Sequence, residues 1–222
     1  SIDRENKTVT VRHLADNSEK QMPYDKLVFA SGATPVRPPI PGADLSRVYT
    51  VSNLHQARDI KEMISKGLVG KAVVIGAGAI GIEMAEALTD LWGVETTLVE
   101  MAGQVLPTAI GQNISRIVEH HLEQNDVKVL LSRQVTRILG DNDSGVIGVE
   151  VDGSVIECDL VVMSAGVRPN TKLAVEAGLA VGRSGALIVD RNLRTTDPDI
   201  YAGGDCIEMR NLVSGDNMIM PL

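Results

Sequence analysis

Residues 73 to 88 read VVIGAGAIGIEMAEAL, an apolar run broken by Gly76, Gly78 and Gly81. A strand-like run precedes the first glycine, and a helix-forming run follows the last. Three glycines at this spacing between a strand and a helix each have a separate reason. Gly76 allows the tight turn, Gly78 lets a pyrophosphate approach the backbone with no Cβ in the way, and Gly81 lets the helix lie close to the strand. Ala79 and Ile80, in the first helical turn, offer no side-chain acceptor to the free amides there. A bound phosphate would satisfy them, helped by the positive end of the helix dipole.

Glu100 is the second element of this pattern. It ends the run Thr96-Thr97-Leu98-Val99 and lies 19 positions after Gly81. A carboxylate at that strand end accepts hydrogen bonds from ribose hydroxyls and repels a 2′-phosphate. The following residues, Met101-Ala102-Gly103-Gln104, include no Arg or Lys to welcome such a phosphate. NAD(H) is therefore expected over NADP(H).

The surrounding segments alternate regularly. The pattern predicts a helix over 52–67 with Leu54, Ala57, Ile60 and Ile64 on one side, then a strand over 71–75 and a helix over 79–91. A strand over 95–99 follows, then a helix over 110–124 with Ile114, Ile117, Val118 and Leu122 facing inward, and a strand over 127–131. This βαβαβ order is the unit of doubly wound parallel sheets. Asp152-Gly153 between two β-like runs is a two-residue hairpin signal, and Leu160-Val161-Val162-Met163 is a further strand ending at Ser164-Ala165-Gly166. Arg168-Pro169-Asn170 opens another connection. Short strands are expected at Thr8–Arg12, Leu27–Ala30, Ala186–Val189 and Ile200–Ala202. ATPVRPPIPG, residues 33 to 42, carries four prolines and reads as a linker, with a boundary near Ala43.

With 29 acidic against 21 basic residues the formal charge is −8, and no run of Lys and Arg forms a basic stripe. Nucleic acid is not an expected partner, because phosphate neutralisation needs clustered positive charge. The longest apolar stretch is too short to span a bilayer, so no membrane partner is expected either. The opening SIDRENK has no apolar signal core, which points to the cytoplasm. Cys158 and Cys206, 48 positions apart, make neither a CxxC pair nor a disulfide framework. Both are expected to be buried, inert thiols. His120 and His121 are adjacent on a helix and point apart, so no metal site is expected.

Three separated blocks carry a resemblance: YDKLVFASGATPVRPPIPG; VVIGAGAIGIEMAEAL with TTLVE; and SAGVRPN with GALIVDRNLRTTDPDIYAGGDC. They resemble the FAD-dependent pyridine nucleotide-disulfide oxidoreductases, nearest to the branch of NADH oxidases, NADH peroxidases and coenzyme A-disulfide reductases. The resemblance implies an α/β fold in which a Rossmann-like NAD(H)-binding domain, a parallel sheet with a β-meander crossover, is inserted between two pieces of an incomplete FAD-binding domain. Residues 1–43 and 169–222 would be those pieces, and 44–168 the inserted domain. It further implies that hydride passes from NADH to FAD and that electrons go on to a disulfide, a persulfide or oxygen. Ile80, Glu83 and the backbone of Ala165 and Gly166 match the nicotinamide side, with Glu83 the one candidate catalytic group. Ser31, Gly32, Gly204 and Asp205 match flavin-side positions, Asp205 through the ribityl chain. Gly203-Gly204 at a strand end independently permits close backbone approach. Ala79 departs from the bulky aromatic that many NADH oxidases and peroxidases carry there, which leaves the nicotinamide pocket more open.

The family's redox cysteine matches no position in this sequence, and no second glycine fingerprint precedes residue 76. The apolar tail Met218-Ile219-Met220-Pro221-Leu222 wants a partner surface. These features make the chain an expected internal piece of a longer protein, whose full length the resemblance makes a homodimer. Two other readings stay open: a non-enzymatic NAD(H)-binding module, and a flavin-linked reductase of a small electron carrier such as rubredoxin.

Overall fold

The computed structural model describes residues 1–141 and 145–219. The last three residues of the apolar tail lie outside them. The chain forms two compact units, one made of Ser1–Thr34 and Val167–Leu222 and the other of Pro35–Gly166.

The Pro35–Gly166 unit is built on a five-stranded parallel sheet. Its spatial order is Val48–Tyr49, Leu160–Met163, Lys71–Ile75, Glu95–Val99, Val127–Leu130. Successive residues of a strand point to opposite faces, and the two faces here are covered differently. Val74, Leu98 and Val162 pack under the helices through Ile60, Ala85, Leu88 and Leu122. Their neighbours Val73, Val99, Val161 and Met163 pack against Val135, Ile138, Val146, Val149 and Val151. The latter residues belong to an antiparallel meander of Val135–Asp141, Gly145–Val151 and Ser154–Glu157. Helices therefore line one face and a β-meander the other, in place of helices on both. Asp152 and Gly153 join the last two meander strands with φ of +47° and +81°, the left-handed pair that a type I′ hairpin turn requires.

Two helix faces differ from expectation. The helix Gln112–Gln124 begins two residues later than the pattern indicated and buries Ser115 and Leu122, while Ile114 and Ile117 are 53% and 66% exposed. Ser115 takes the inward stripe because its hydroxyl donates to the Val105 carbonyl at 3.0 Å. The helix Leu54–Ser65 buries Ile60 but leaves Leu54 and Ala57 exposed. Gln56 turns inward instead, its Oε1 accepting from the Thr50 amide at 3.1 Å. The helix between them in sequence is α-helical over Ala79–Glu86 and closes with a π-helical turn, Ala87–Leu91.

The proline-rich segment is not a free linker. Ala33–Pro35 is a short strand, and Ile40 and Ala43 pack into the meander-side core. The Ile138 amide donates to the Pro41 carbonyl at 2.8 Å. Gly42, at φ +87°, lies where a Cβ would fall 2.1 Å from the Ile138 carbonyl oxygen. The units consequently divide at Pro35 rather than near Ala43.

In the other unit, Ile2–Asp3, Thr8–Arg12 and Glu19–Pro23 form an antiparallel sheet. Leu27–Phe29 pairs in parallel with Ile200–Ala202. Leu187–Ile188 runs parallel to Ile207–Arg210, which pairs with Asn217–Met218. Phe29, Leu179, Leu187, Ile200 and Cys206 form the core. Arg4 and Lys26 tie the first strands to Asp197 and Asp199. Among the described residues no helix is long and apolar enough to cross a membrane.

The corrected helix face is open to test. Leu122→Ala should cost about 2–5 kcal/mol through the cavity it leaves, whereas Ile117→Ala should stay within about 0.5 kcal/mol. Urea denaturation followed at the helix signal measures both, and equal losses would contradict the assigned face.

Candidate functional site

The central strand Lys71–Ile75 connects onward to Glu95–Val99 on one side, while Leu160–Met163 arrives on its other side. The strand order reverses between Lys71–Ile75 and Leu160–Met163, and crevices for ligands open at the carboxyl ends of strands at such a point. Gly76 follows Ile75 at φ +102° and donates its N–H to the Val99 carbonyl at 2.8 Å. A Cβ on Gly76 would lie 2.5 Å from the Ser164 carbonyl oxygen, and one on Gly81 would lie 1.9 Å from the Gly76 carbonyl oxygen. Gly78 is different. Its backbone is unstrained, no atom lies within 4 Å of its missing Cβ, and it caps the helix without a side-chain hydrogen bond. The helix's first amides thus face an open space that only a residue without a side chain keeps clear.

Glu100 is partly exposed, and both of its carboxylate oxygens are engaged. Oε2 accepts from the Ala77 amide and Oε1 from the Ala102 amide, each at 2.7 Å. The side chain joins the glycine turn to the loop after the strand, and Leu106 reinforces that link by donating to the Ala77 carbonyl at 2.8 Å. Each carboxylate oxygen retains a lone pair for a further donor. Both partners, Ala77 and Ala102, donate through backbone amides, which no side-chain pattern announces.

Ala79, Ile80 and Glu83 are exposed on the same helix, and their spacing places them on one side of it. Glu83 makes no hydrogen bond or ion pair with the described residues. Ala165 and Gly166 are exposed just beyond the neighbouring strand Leu160–Met163, Gly166 at φ +90°. They share the strand-end crevice with the glycine turn. Ser164, which precedes them, has a buried hydroxyl without a partner among the described residues. In the sequence, serine next to Ala-Gly reads only as a turn.

A second set of candidates collects in the other unit. Ser31 and Gly32 follow Leu27–Phe29, while Gly203, Gly204 and Asp205 follow its parallel partner Ile200–Ala202. The Gly203 amide donates to the Phe29 carbonyl at 3.0 Å, which holds the two turns together. Gly32 at φ +63° and Gly204 at φ +77° have nothing within 4 Å of a built Cβ. Two open glycine turns therefore lie at the carboxyl ends of adjacent parallel strands, and Asp205 stands partly exposed beside them.

Both cysteines are buried beneath the surface of the chain. Cys206 is fully buried, its Sγ directed at the Gly203 and Phe29 carbonyls. Burial, with Asp159 adding to it, pushes the Cys158 thiol up to about 12. His120 contacts Gln124, whereas His121 faces Glu86 at 3.6 Å. Among the described residues no group of three or more His, Cys, Asp or Glu side chains could hold a metal ion.

These features define an α/β protein with a Rossmann-type parallel sheet. The chain belongs to the pyridine nucleotide-disulphide oxidoreductase family, whose model matches residues 1–220. It is 41% identical over 206 residues to an NADH oxidase of Methanocaldococcus jannaschii, covering 93% of this chain and 45% of that protein. A FAD-dependent pyridine nucleotide-disulphide oxidoreductase from Desulfovibrio vulgaris superposes with a TM-score of 0.89 at 45% identity, covering 100% of this chain and 55% of that one. A NAD-dependent persulfide reductase from A. fulgidus gives a TM-score of 0.92 at 41% identity, covering 100% of this chain and 40% of that one. The chain spans about half the length of these three relatives.

The glycine roles separate by substitution. Gly81→Ala should destabilise the unit by about 3 kcal/mol or more, since backbone must move. Gly78→Ala should cost only about 0.5–1 kcal/mol as a poorer cap. Thermal melts of the two variants check the contrast, and a tolerated Gly81→Ala would contradict it. Neither cysteine should react with iodoacetamide at pH 8 in the native protein, while both should react in denaturant; mass spectrometry reads the difference.

Proposed function

We propose that the Pro35–Gly166 unit binds NADH and that the unit of Ser1–Thr34 and Val167–Leu222 contributes to holding FAD, within a longer NADH-dependent oxidoreductase. The observation that carries this is the open glycine turn at the sheet's switch point, with the Glu100 carboxylate fixed beside it. The free amides after Gly78 would take the pyrophosphate, aided by the helix dipole. Glu100 would accept from the ribose hydroxyls through its remaining lone pairs. The Ala165-Gly166 backbone, Ile80 and Glu83 would orient the nicotinamide, with Ala79 leaving that end uncrowded. Ser31, Gly32, Gly204 and Asp205 are the proposed flavin-side residues. Held there, FAD would supply the two-electron chemistry that links NADH to the acceptor. The chain's own contribution is to bind and orient each cofactor.

The acceptor class we propose is a disulfide, a persulfide or oxygen. The named relatives, an NADH oxidase and a persulfide reductase, support that range. A homodimer is the proposed assembly of the whole protein and the cytoplasm its proposed location, with small-molecule or thiol acceptors as partners rather than nucleic acid or membrane. Glu100 and the absence of Arg or Lys over 101–104 support NADH over NADPH.

The first test is the visible spectrum of the full-length protein before and after anaerobic addition of NADH. A flavin band that bleaches supports the proposal; its absence would leave a non-enzymatic nucleotide-binding module as the better account. Hydrogen bonds to a charged acceptor are worth about 1.5–3 kcal/mol each, so Glu100→Ala should weaken NADH binding by about ten- to hundredfold. Calorimetry showing unchanged affinity would remove Glu100 from the site.

A further inference from the structure

Asn170 spends four polar groups on one short segment that is distant in sequence. Its amide donates to the Gly32 carbonyl at 3.0 Å, and its own carbonyl accepts from Ser31 Oγ at 2.6 Å. Its Nδ2 donates to the Ser31 carbonyl at 2.9 Å, and its Oδ1 accepts from Thr34 Oγ1 at 2.7 Å. The segment so held contains Gly32 at φ +63°, a conformation that glycine tolerates but does not by itself prefer. Ser31 and Thr34 are exposed, so these bonds compete with water and each adds little to stability. Four of them on one residue do fix a geometry.

From this network we infer that Asn170 is a positioning residue that sets the Ser31-Gly32 turn for its cofactor. The inference rests on the proposal that this end of the unit helps to hold the flavin. It also changes the part assigned to Ser31. The Ser31 hydroxyl is committed to the Asn170 carbonyl, so the turn meets a ligand through its backbone and the open face of Gly32. Asn170 acts through that turn, whose partner across the strand ends is Gly203-Gly204. Asparagine suits the task because one planar amide supplies a donor and an acceptor side by side, the donor for Ser31 and the acceptor for Thr34.

The test uses the full-length flavoprotein. Flavin affinity, the visible circular dichroism of the bound flavin and the melting temperature are measured for Asn170→Ala, Thr34→Val, Thr34→Ser and Arg4→Ala. Asn170→Ala should bind flavin about tenfold more weakly and alter its dichroism; Thr34→Val should lose about fivefold, and Thr34→Ser should restore it. Arg4→Ala, which breaks the Asp197 ion pair elsewhere in the unit, should lower the melting temperature yet leave both flavin readouts unchanged. If Asn170→Ala and Thr34→Val shift only the melting temperature, as Arg4→Ala does, Asn170 is merely structural and the inference fails. Should Asn170→Ala not fold, the Thr34 pair decides the matter alone. A wild type that takes up no flavin overturns the underlying proposal, and the inference with it; that result appears before any variant is made.

Discussion

How closely one helix approaches one strand end governs the candidate nucleotide site. A Cβ on Gly81 would sit 1.9 Å from the Gly76 carbonyl oxygen, and one on Gly76 would sit 2.5 Å from that of Ser164. No larger residue fits either place without backbone movement. The resulting contact brings the amide end of Ala79–Glu86 down to the carboxyl ends of the sheet. The open space at Gly78 follows from that placement, as does the exposure of Ala79, Ile80 and Glu83 along one side of the helix.

Glu100 completes the arrangement by hydrogen bonding. Two backbone amides bond to its carboxylate, one from the glycine turn and one from the loop after the strand. The same contacts close the loop after the strand onto the glycine turn, so a side chain nominated for recognition is also part of the local scaffold. A ligand bound there would meet a carboxylate already oriented, which would reduce the ordering that binding must supply.

The elements that depend on local pattern were legible in the sequence. The strands at Lys71–Ile75, Glu95–Val99 and Leu160–Met163 and the Asp152-Gly153 turn follow directly from β-branched runs and turn chemistry. The inward faces of two helices were not, because Ser115 and Gln56 are polar residues in stripes that a hydrophobic pattern assigns to isoleucine and leucine. Each is satisfied by one backbone group, the Val105 carbonyl or the Thr50 amide, which the sequence does not announce. The proline-rich segment misled for a related reason. Its composition is that of a linker, but its fate is set by Ile138, about a hundred residues away in sequence. At the candidate sites the glycines and the acidic strand end were visible, while the bonds made by Asn170 and the buried Ser164 hydroxyl depend on tertiary placement.

The Val36 amide donates to the Gly166 carbonyl at 2.9 Å, so the two ends of the inserted unit meet within a single hydrogen bond. During synthesis on a ribosome, the strand Leu27–Phe29 emerges long before its parallel partner Ile200–Ala202 exists. Its edge waits unpaired, open to wrong partners. Once the insert folds, however, it brings its two flanks side by side, and the late-arriving strand is delivered at a high effective concentration. A folded insert then joins the halves of its host as a short tether would.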